Sequence, residues 1–140
     1  MDTNNRKFYS IDFQCINDKR GKMCVAEFEK EIPFLIKRVF YQFGFSTDCT
    51  RGQHANLESS FVFVCLSGEC TVIVDDGKYR EKFVLKDATK GLFLSNNTWK
   101  EMSNFSSDCV LLVLSDKEYN KTEYITDYGR FLELVNGKSA

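Results

Sequence analysis

Residues 61–77 read FVFVCLSGECTVIVDDG, and this stretch decides the fold class. Phe61 to Leu66 is a continuous apolar run that closes in Ser67-Gly68-Glu69, and Cys70 to Val74 follows directly. An apolar run of this length is typical of a strand that is covered on both faces. Asp75-Asp76-Gly77 then places an Asp-Gly pair between two strand-like segments, which is a strong signal for a β-hairpin.

Similar segments recur on both sides of this stretch. Tyr79 to Leu85 is the predicted returning strand of the hairpin, and the remaining segments are rich in β-branched and aromatic residues. They are Phe8 to Phe13, Met23 to Phe28, Phe34 to Phe43, Gly91 to Leu94, Trp99 to Met102 and Cys109 to Leu114, with a turn at Asn96-Asn97. About ten short strands without an intervening helix predict an all-β protein, a double-sheet jelly roll. Arg130 to Val135 is predicted to be a short helix or an edge strand.

Size and charge restrict the function classes. A chain of 140 residues with 43% hydrophobic content fits a single domain over residues 1–140. Its 19 Lys and Arg nearly balance 20 Asp and Glu, so no overall field attracts nucleic acid or an anionic membrane. No apolar run approaches the roughly 18 residues of a membrane span, and the N-terminus lacks the apolar core of a signal peptide. We therefore expect a cytoplasmic protein without nucleic-acid or membrane partners.

The cysteines and the single histidine argue against metal chemistry. Six cysteines are present, and four of them lie inside apolar strand-like runs, which is typical of reduced cysteines in a core. The chain has one histidine and no CxxC pair, so a zinc site has little support. Metal-dependent oxygenases of this architecture generally use several imidazoles. We predict neither a metal nor a cofactor.

The densest polar cluster is Arg51-Gly52-Gln53-His54-Ala55-Asn56, directly before the most apolar strand. A strand places alternate side chains on one face, so His54 and Asn56 are expected to point together into the interior pocket of the jelly roll. An imidazole can take a proton from carbon and return it to a neighbouring position, as a keto–enol isomerisation requires. The alternative is that His54 is simply a hydrogen-bonded core or surface histidine.

Further candidates flank this cluster. Arg38 and Tyr41 fall on opposite faces of one predicted strand; a guanidinium binds a diphosphate well, and a phenol can donate to an enolate oxygen. Arg51, beside a glycine, could be a phosphate ligand. Trp99, next to Lys100, could stack on a base or a sugar. Packing remains the alternative for the tyrosine and the tryptophan, and Arg38 could extend along a rim.

Five short motifs occur in the order and approximate spacing of one protein family. They are Arg38-Val39-Phe40-Tyr41, Arg51-Gly52-Gln53-His54-Ala55, Leu66-Ser67-Gly68 leading to Val74-Asp75-Asp76-Gly77, Gly91-Leu92-Phe93 before Trp99, and Tyr124-Ile125-Thr126-Asp127-Tyr128. The chain resembles the bacterial sugar 3,4-ketoisomerases of the FdtA, QdtA and WxcM type, from about Ile11 to Leu134. Each motif alone is weak, and the five together are specific.

The resemblance implies a cupin-type jelly roll that works without a metal, as a homodimer with exchanged N-terminal strands. The implied substrate is dTDP-4-keto-6-deoxy-D-glucose. The implied reaction moves the carbonyl from C4 to C3 through an enediol. The product would enter the biosynthesis of amino sugars for surface glycans, such as the O-antigen of lipopolysaccharide.

The resemblance also assigns roles to single positions. Tyr41 matches the active-site tyrosine, His54 the first histidine of a His-Ala-His motif, and Arg51 the arginine that precedes it. Lys22 and Lys100 fall where the family varies with the galacto or gluco configuration of the product. These assignments make Arg51, Arg38, Lys22, Trp99 and Lys100 the predicted substrate-binding residues.

Asn56 departs from the family pattern because it replaces the second histidine. An amide does not titrate near neutral pH, so Asn56 cannot act as a base. Either the asparagine is natural and His54 performs both proton transfers, or the chain is an engineered or impaired variant. We expect His54 and Tyr41 to converge in a β-walled cavity, with polar groups around Asn56 holding the sugar oxygens. A nucleotide-sugar 3,5-epimerase and a non-catalytic nucleotide-sugar-binding cupin remain the alternatives.

Overall fold

The computed structural model describes residues 6–137, which form twelve β-strands and one α-helix. The strands are β1 (Phe8–Asp12), β2 (Gln14–Asp18), β3 (Gly21–Val25), β4 (Arg38–Gln42), β5 (Arg51–Asn56), β6 (Phe61–Ser67), β7 (Cys70–Asp75), β8 (Arg80–Leu85), β9 (Lys90–Leu94), β10 (Trp99–Ser103), β11 (Val110–Ser115) and β12 (Tyr124–Ile125). A 3₁₀ turn, Lys121–Glu123, precedes β12, and the helix α1 spans Tyr128–Val135. The predicted all-β fold is confirmed.

Two five-stranded antiparallel sheets form the body of the molecule. The first has the strand order β1-β9-β6-β11-β4, and the second has the order β12-β5-β10-β7-β8. Strands β2 and β3 pair only with each other and form a separate hairpin. Consecutive strands such as β6 and β7 belong to different sheets, which is the connectivity of a jelly roll.

Strand β6 is buried on both faces, as its apolar run predicts. Phe61 and Phe63 point into the core between the two sheets. Val62 and Val64 lie on the opposite face, in a second apolar cluster with Phe34 and other residues of the N-terminal third of the chain. The first sheet is therefore covered on one side by the second sheet and, around β6, on the other side by irregular chain.

The C-terminal helix packs on the outer face of the second sheet around β5, β10 and β12. Asp127 caps α1 by accepting a hydrogen bond from the Gly129 amide at 3.1 Å, and Phe131 is buried against Trp99. The Tyr128 hydroxyl donates to Asp75 at the end of β7. The segment predicted as a helix or an edge strand is thus a helix. No helix within residues 6–137 has the length and hydropathy needed to cross a membrane.

The cysteines fall into two groups. Cys15 and Cys24 face each other across the β2–β3 hairpin and form a disulfide, so the expectation of reduced cysteines is wrong for Cys24. The pairing of the two strands brings these residues together, and the apolar pattern alone does not reveal it. Cys65, Cys70 and Cys109 are free and buried in the core, with sulfur atoms within 4.8 Å of one another.

An irregularity in β5 orients the side chains of the polar cluster. In the pairing with β10, Lys100 is opposite His54 and Glu101 is opposite Gly52, so Gln53 is an extra residue, a β-bulge. Gly52 has φ +83°, and a Cβ there would lie 2.9 Å from the Lys100 carbonyl oxygen. Only glycine fits this combination of backbone angle and close approach.

Most predicted strands and turns are confirmed, although some bounds differ. The Asp-Gly hairpin joins β7 and β8, and Asn97 adopts a positive φ in the turn before β10. The segment predicted over Phe34 to Phe43 is a strand only from Arg38, because Phe34 packs as irregular cover on the first sheet. Strands β2 and β12 were not predicted, since β2 lacks the alternating apolar pattern and β12 is only two residues long.

We expect Gly52→Ala to destabilise the fold by about 1–3 kcal/mol, because the new Cβ meets backbone at a strained φ. Urea unfolding measures the difference. The matched control is Gly129→Ala in the first turn of α1, where the nearest atom to a new Cβ is the Asp127 side chain at 3.6 Å. That change should be neutral or slightly stabilising. Equal effects at the two positions would contradict the role of the bulge.

Candidate active site

A cavity of about 190 Å³ lies between the sheets at the end marked by the β5 bulge. Its apolar wall includes Phe40, Phe61, Phe63, Met102 and Val113, and its polar groups come from Gln42, Arg51, His54, Lys100 and Tyr124. Larger depressions occur on the surface, such as one beside Glu58 and Tyr119, but they are more open to solvent. The enclosed cavity contains the one histidine.

His54 is held in one orientation by two contacts. Its Nδ1 lies 3.0 Å from the Gly52 carbonyl oxygen, and its ring stacks on Tyr124 with centroids 4.5 Å apart. A carbonyl can only accept a hydrogen bond, so Nδ1 carries the proton and Nε2 is the basic nitrogen. Burial, assisted by the charge of Lys100, lowers the pKa of His54 to about 4. The imidazole is therefore neutral at neutral pH.

Lys100 is the most unusual residue of the site, because lysine side chains are seldom buried and this one is only 3% exposed. Its Nζ donates to Asn56 Oδ1 at 2.7 Å and lies 4.7 Å from the centre of the Phe61 ring. Burial lowers the pKa of Lys100 to about 7; the carboxylate of Glu123 opposes this shift and Arg38 adds to it. Near neutral pH the amine can therefore both give and take a proton.

Asn56 lies behind Lys100 and is only 1% exposed. His54 and Asn56 share the inner side of β5, as the alternation predicted, but only His54 belongs to the cavity wall. The amide oxygen is occupied by the lysine. In this chain Asn56 therefore contacts the amine that faces the cavity and not the cavity itself.

Two arginines make the surroundings of the cavity positive. The Nε and one terminal nitrogen of Arg38 are buried and have no hydrogen-bond partner within residues 6–137. The Arg38 guanidinium lies over the rings of Phe40 and Phe61, at 5.2 and 6.0 Å. Arg51 is exposed. When the Gln42 amide is oriented with its oxygen towards Arg51, the guanidinium donates two hydrogen bonds to that oxygen, each of 3.2 Å. Unpaired buried guanidinium groups are suited to oxyanions.

Glu123 is the counter-charge of the site. Its Oε1 accepts hydrogen bonds from the backbone amides of Glu58 and Ser59 at 2.8 Å each, and its Oε2 accepts from the Ser59 hydroxyl at 2.5 Å. Burial raises the pKa of Glu123, but these hydrogen bonds outweigh it and leave the pKa below its ordinary value. The carboxylate is therefore charged and fixes the chain before β12 to the start of β6.

Tyr41 does not reach this cavity. The inner face of β4 carries Arg38, Phe40 and Gln42, so the alternation places Tyr41 on the outer face, where it is 63% exposed. Its ring stacks on Phe43, with centroids 6.2 Å apart. The prediction that the phenol and the imidazole converge is wrong for this chain.

Two predicted ligand-binding residues also lie elsewhere. Trp99 occupies the face of β10 opposite Lys100 and is buried under α1, where its indole donates to Glu101 at 2.9 Å. The structure contradicts its prediction as a ligand-stacking residue and favours the packing alternative. Lys22 sits on the exposed β2–β3 hairpin and does not line the cavity of its own chain.

Sequence reasoning did not select three residues of the site. Gln42 is on the inner face of β4, two positions from Phe40, and the period of two could have identified it. Tyr124 belongs to one of the family motifs, but its stacking on His54 depends on the pairing of β12 with β5. Glu123 lies in a 3₁₀ turn and has no sequence signal.

A family model for proteins described as "FdtA: WxcM-like, C-terminal" matches residues 6–136. The chain belongs to this family. It is 42% identical over 125 residues to a TDP-4-oxo-6-deoxy-alpha-D-glucose-3,4-oxoisomerase from Aneurinibacillus thermoaerophilus, covering 89% of this chain and 90% of the relative.

Solved structures agree with this assignment. The TDP-fucose-3,4-ketoisomerase WlaRA from Campylobacter jejuni is 44% identical, with a TM-score of 0.90 over 95% of this chain and 98% of its own. QdtA from Thermoanaerobacterium thermosaccharolyticum, solved in complex with TDP, is 32% identical with a TM-score of 0.90 over 97% and 99%. The rmlC epimerase from Mycobacterium tuberculosis, at 15% identity and a TM-score of 0.75, shares the fold.

We expect Lys100→Met to stabilise the protein at pH 6 by about 1–4 kcal/mol, because burying an ammonium group is unfavourable. Loss of the hydrogen bond to Asn56 cancels only part of this gain. The advantage should shrink as the pH rises from about 7 towards 10.5, where Lys100 is neutral in the native state but still charged in the unfolded chain. Urea unfolding of both proteins across this range measures it. A pH-independent difference would contradict the burial of the charge.

Proposed function

We propose that the chain is a 3,4-ketoisomerase acting on dTDP-4-keto-6-deoxy-D-glucose and releasing a dTDP-3-keto-6-deoxyhexose. The observation that supports this most directly is the enclosed cavity in which a neutral imidazole with a basic Nε2 adjoins a buried lysine. Family membership and the names of relatives at 42% and 44% identity point to the same reaction.

The size of the cavity fits part of such a substrate. Sites for whole drug-sized ligands usually measure about 300–1,000 Å³. The cavity of about 190 Å³ is smaller, so we infer that it takes the hexose ring and leaves the nucleotide outside. Arg51 at the exposed end and the unpaired nitrogens of Arg38 supply positive charge for the diphosphate and the sugar oxygens.

His54 begins the reaction in this proposal. Its Nε2 removes the proton from C3, which is acidic because it adjoins the C4 carbonyl, and the electron pair forms the C3–C4 double bond of an enediolate. The hydroxyl proton passes from O3 to O4. Protonation of C4 then leaves the carbonyl at C3, so the numbers of atoms and electrons are unchanged and no metal or redox cofactor is consumed.

We also propose a homodimer in which the β2–β3 hairpin is exchanged. Ile16 and Met23 on the hairpin are at least half exposed. So are Val39 and Tyr41 on the outer face of β4, the edge strand of its sheet, and Phe43 directly after it. Two such apolar surfaces on one chain can cover each other in a pair of chains. Strand β1 pairs with β9 of its own chain, so the exchange would be confined to the hairpin.

In such an exchange Lys22 would reach the cavity of the partner chain, because it does not line the cavity of its own chain. We also propose that the protein is cytoplasmic and that its product is used for surface glycans such as the O-antigen. The basis of both proposals is the resemblance to the ketoisomerases.

We expect Val39→Glu and Met23→Glu, each on one of the two apolar surfaces, to convert the dimer to a monomer, because burying a carboxylate in an apolar interface is unfavourable. Light scattering coupled to gel filtration measures the mass. Leu134→Glu on α1 is the matched control at a residue that is 48% exposed, and it should leave the dimer intact. A wild-type monomer at micromolar concentration would overturn the dimer proposal.

Incubation with dTDP-4-keto-6-deoxyglucose in deuterium oxide tests the activity. We expect a 3-keto product carrying deuterium at C4, and we expect His54→Gln to lower its formation about 100- to 10,000-fold, since a positioned base contributes that much. TDP binding by calorimetry should change little and shows that the variant is folded. Full activity of His54→Gln would remove the imidazole from the mechanism.

The same experiment separates the alternatives. A 3,5-epimerase would place deuterium at C3 and C5 without a 3-keto product. A non-catalytic binding protein, which the loss of a histidine at Asn56 favours, would bind TDP and leave the sugar unlabelled.

A further inference from the structure

Two groups of the cavity that can take part in proton transfer lie side by side. Lys100 on β10 is directly opposite His54 on β5, and both side chains line the cavity. Cross-strand neighbours have Cβ atoms about 4.5–5.5 Å apart, so one hexose ring can contact both groups. The register of β5 with β10 therefore places Lys100 beside His54, and the sequence motif around His54 does not reveal this.

Once His54 has taken the C3 proton, C4 must receive a proton, and its donor is either the same imidazolium or a second group of the cavity. The other polar groups of the cavity are poor proton donors, because guanidinium groups do not release protons near neutral pH and an amide does not titrate. A phenol carries no positive charge, so the Tyr124 hydroxyl, whose ring is stacked on His54, stabilises an enediolate less than an ammonium group does. Lys100 remains, with an amine in the cavity wall and only 3% of its surface exposed.

We propose that Lys100 is the second proton-transfer residue of the isomerase, that its ammonium group protonates C4 of the enediolate formed by His54, and that Asn56 positions the amine. This inference rests on the isomerase function proposed above. The departure from His-Ala-His then has a physical reason, because an amide oxygen at Asn56 accepts from the lysine at 2.7 Å and does not compete for its proton.

The protons balance over one turnover. His54 takes the C3 proton and becomes imidazolium while the ammonium group of Lys100 faces the enediolate, so the negative charge lies between two cations. Lys100 then breaks its N–H bond to form the C–H bond at C4 and becomes a neutral amine. After product release the imidazolium returns its proton to the amine, directly or through water, and the starting state is restored.

The groups around Lys100 favour this cycle. His54 faces it from β5, Arg38 from β4 and Glu123 from the 3₁₀ turn, while Asn56 supplies the hydrogen bond and Phe61 the apolar surface. Burial holds the pKa of Lys100 near 7 and that of His54 near 4. The base is thus free and the acid is at least partly protonated between these two values, as an acid–base pair requires.

The decisive variant is Lys100→Arg, which keeps the charge but cannot release a proton at neutral pH. With dTDP-4-keto-6-deoxyglucose in deuterium oxide, we expect it to continue exchanging the C3 proton of the substrate within about threefold of wild type, because His54 is intact. Formation of the 3-keto product should fall at least about 100-fold, the usual contribution of a positioned acid. TDP affinity should change less than about threefold, since the cation remains.

The controls make each outcome interpretable. Lys82→Arg makes the same chemical change on the exposed strand β8 of the same sheet and should leave both rates unchanged. Lys100→Met provides a smaller apolar replacement if circular dichroism shows that the arginine variant is misfolded. Parallel loss of exchange and product in a folded variant, or full product formation, would overturn the role of Lys100. A wild-type protein that neither exchanges nor isomerises would instead reject the isomerase function.

The unaltered protein offers an independent measurement. We expect kcat to fall as the pH rises above about 7, where Lys100 loses the proton that it must donate, and to fall below about 4, where His54 is protonated. Lys100→Arg should lose the upper limb in its residual activity. A wild-type kcat that stays constant to pH 9 would contradict the proposal.

Discussion

Strand β6 has apolar side chains on both faces, and the rest of the architecture follows from the need to cover them. Phe61 and Phe63 require the second sheet, while Val62 and Val64 require the irregular segment that includes Phe34. Because β6 has no polar side chain from Phe61 to Leu66, the polar residues of the cavity come from other strands, at one end of the sandwich. The cavity forms there, where Phe61 at the start of β6 meets the bulged strand β5.

The cavity gathers positive charge in an apolar setting. Lys100 and Arg38 both lie against the Phe61 ring, and Glu123 is the nearby carboxylate that opposes them. Such an arrangement costs stability in the empty protein, because desolvated cations repel each other. An anionic sugar diphosphate or an enediolate would offset that cost. The positive cavity therefore favours charged ligands and developing negative charge over neutral ones.

Local patterns predicted the fold well and the site only in part. Apolar runs, the Asp-Gly pair and the alternation of β4 depend on neighbouring residues, and all of them appear in the structure. The positions of Tyr41 and Trp99 depend on which face of a strand becomes the interior, and a strand with apolar residues on both sides does not reveal this. The burial of Lys100 and the disulfide of Cys24 depend on partners from other strands. Those contacts are set by pairing register and cannot be derived from sequence spacing.

The β2–β3 hairpin is exposed to solvent along nearly its whole length, and a disulfide joins its two strands. Cys15 and Cys24 close a loop with a sequence separation of nine residues, and the crosslink lies wholly within the hairpin. A crosslink of this kind restricts the conformations of an isolated hairpin, which would otherwise be marginal in water. The disulfide therefore reduces the number of conformations open to the hairpin. A crosslinked hairpin has less conformational entropy to lose when it is covered, so in the proposed dimer the oxidation state of these two cysteines would affect how strongly the chains associate.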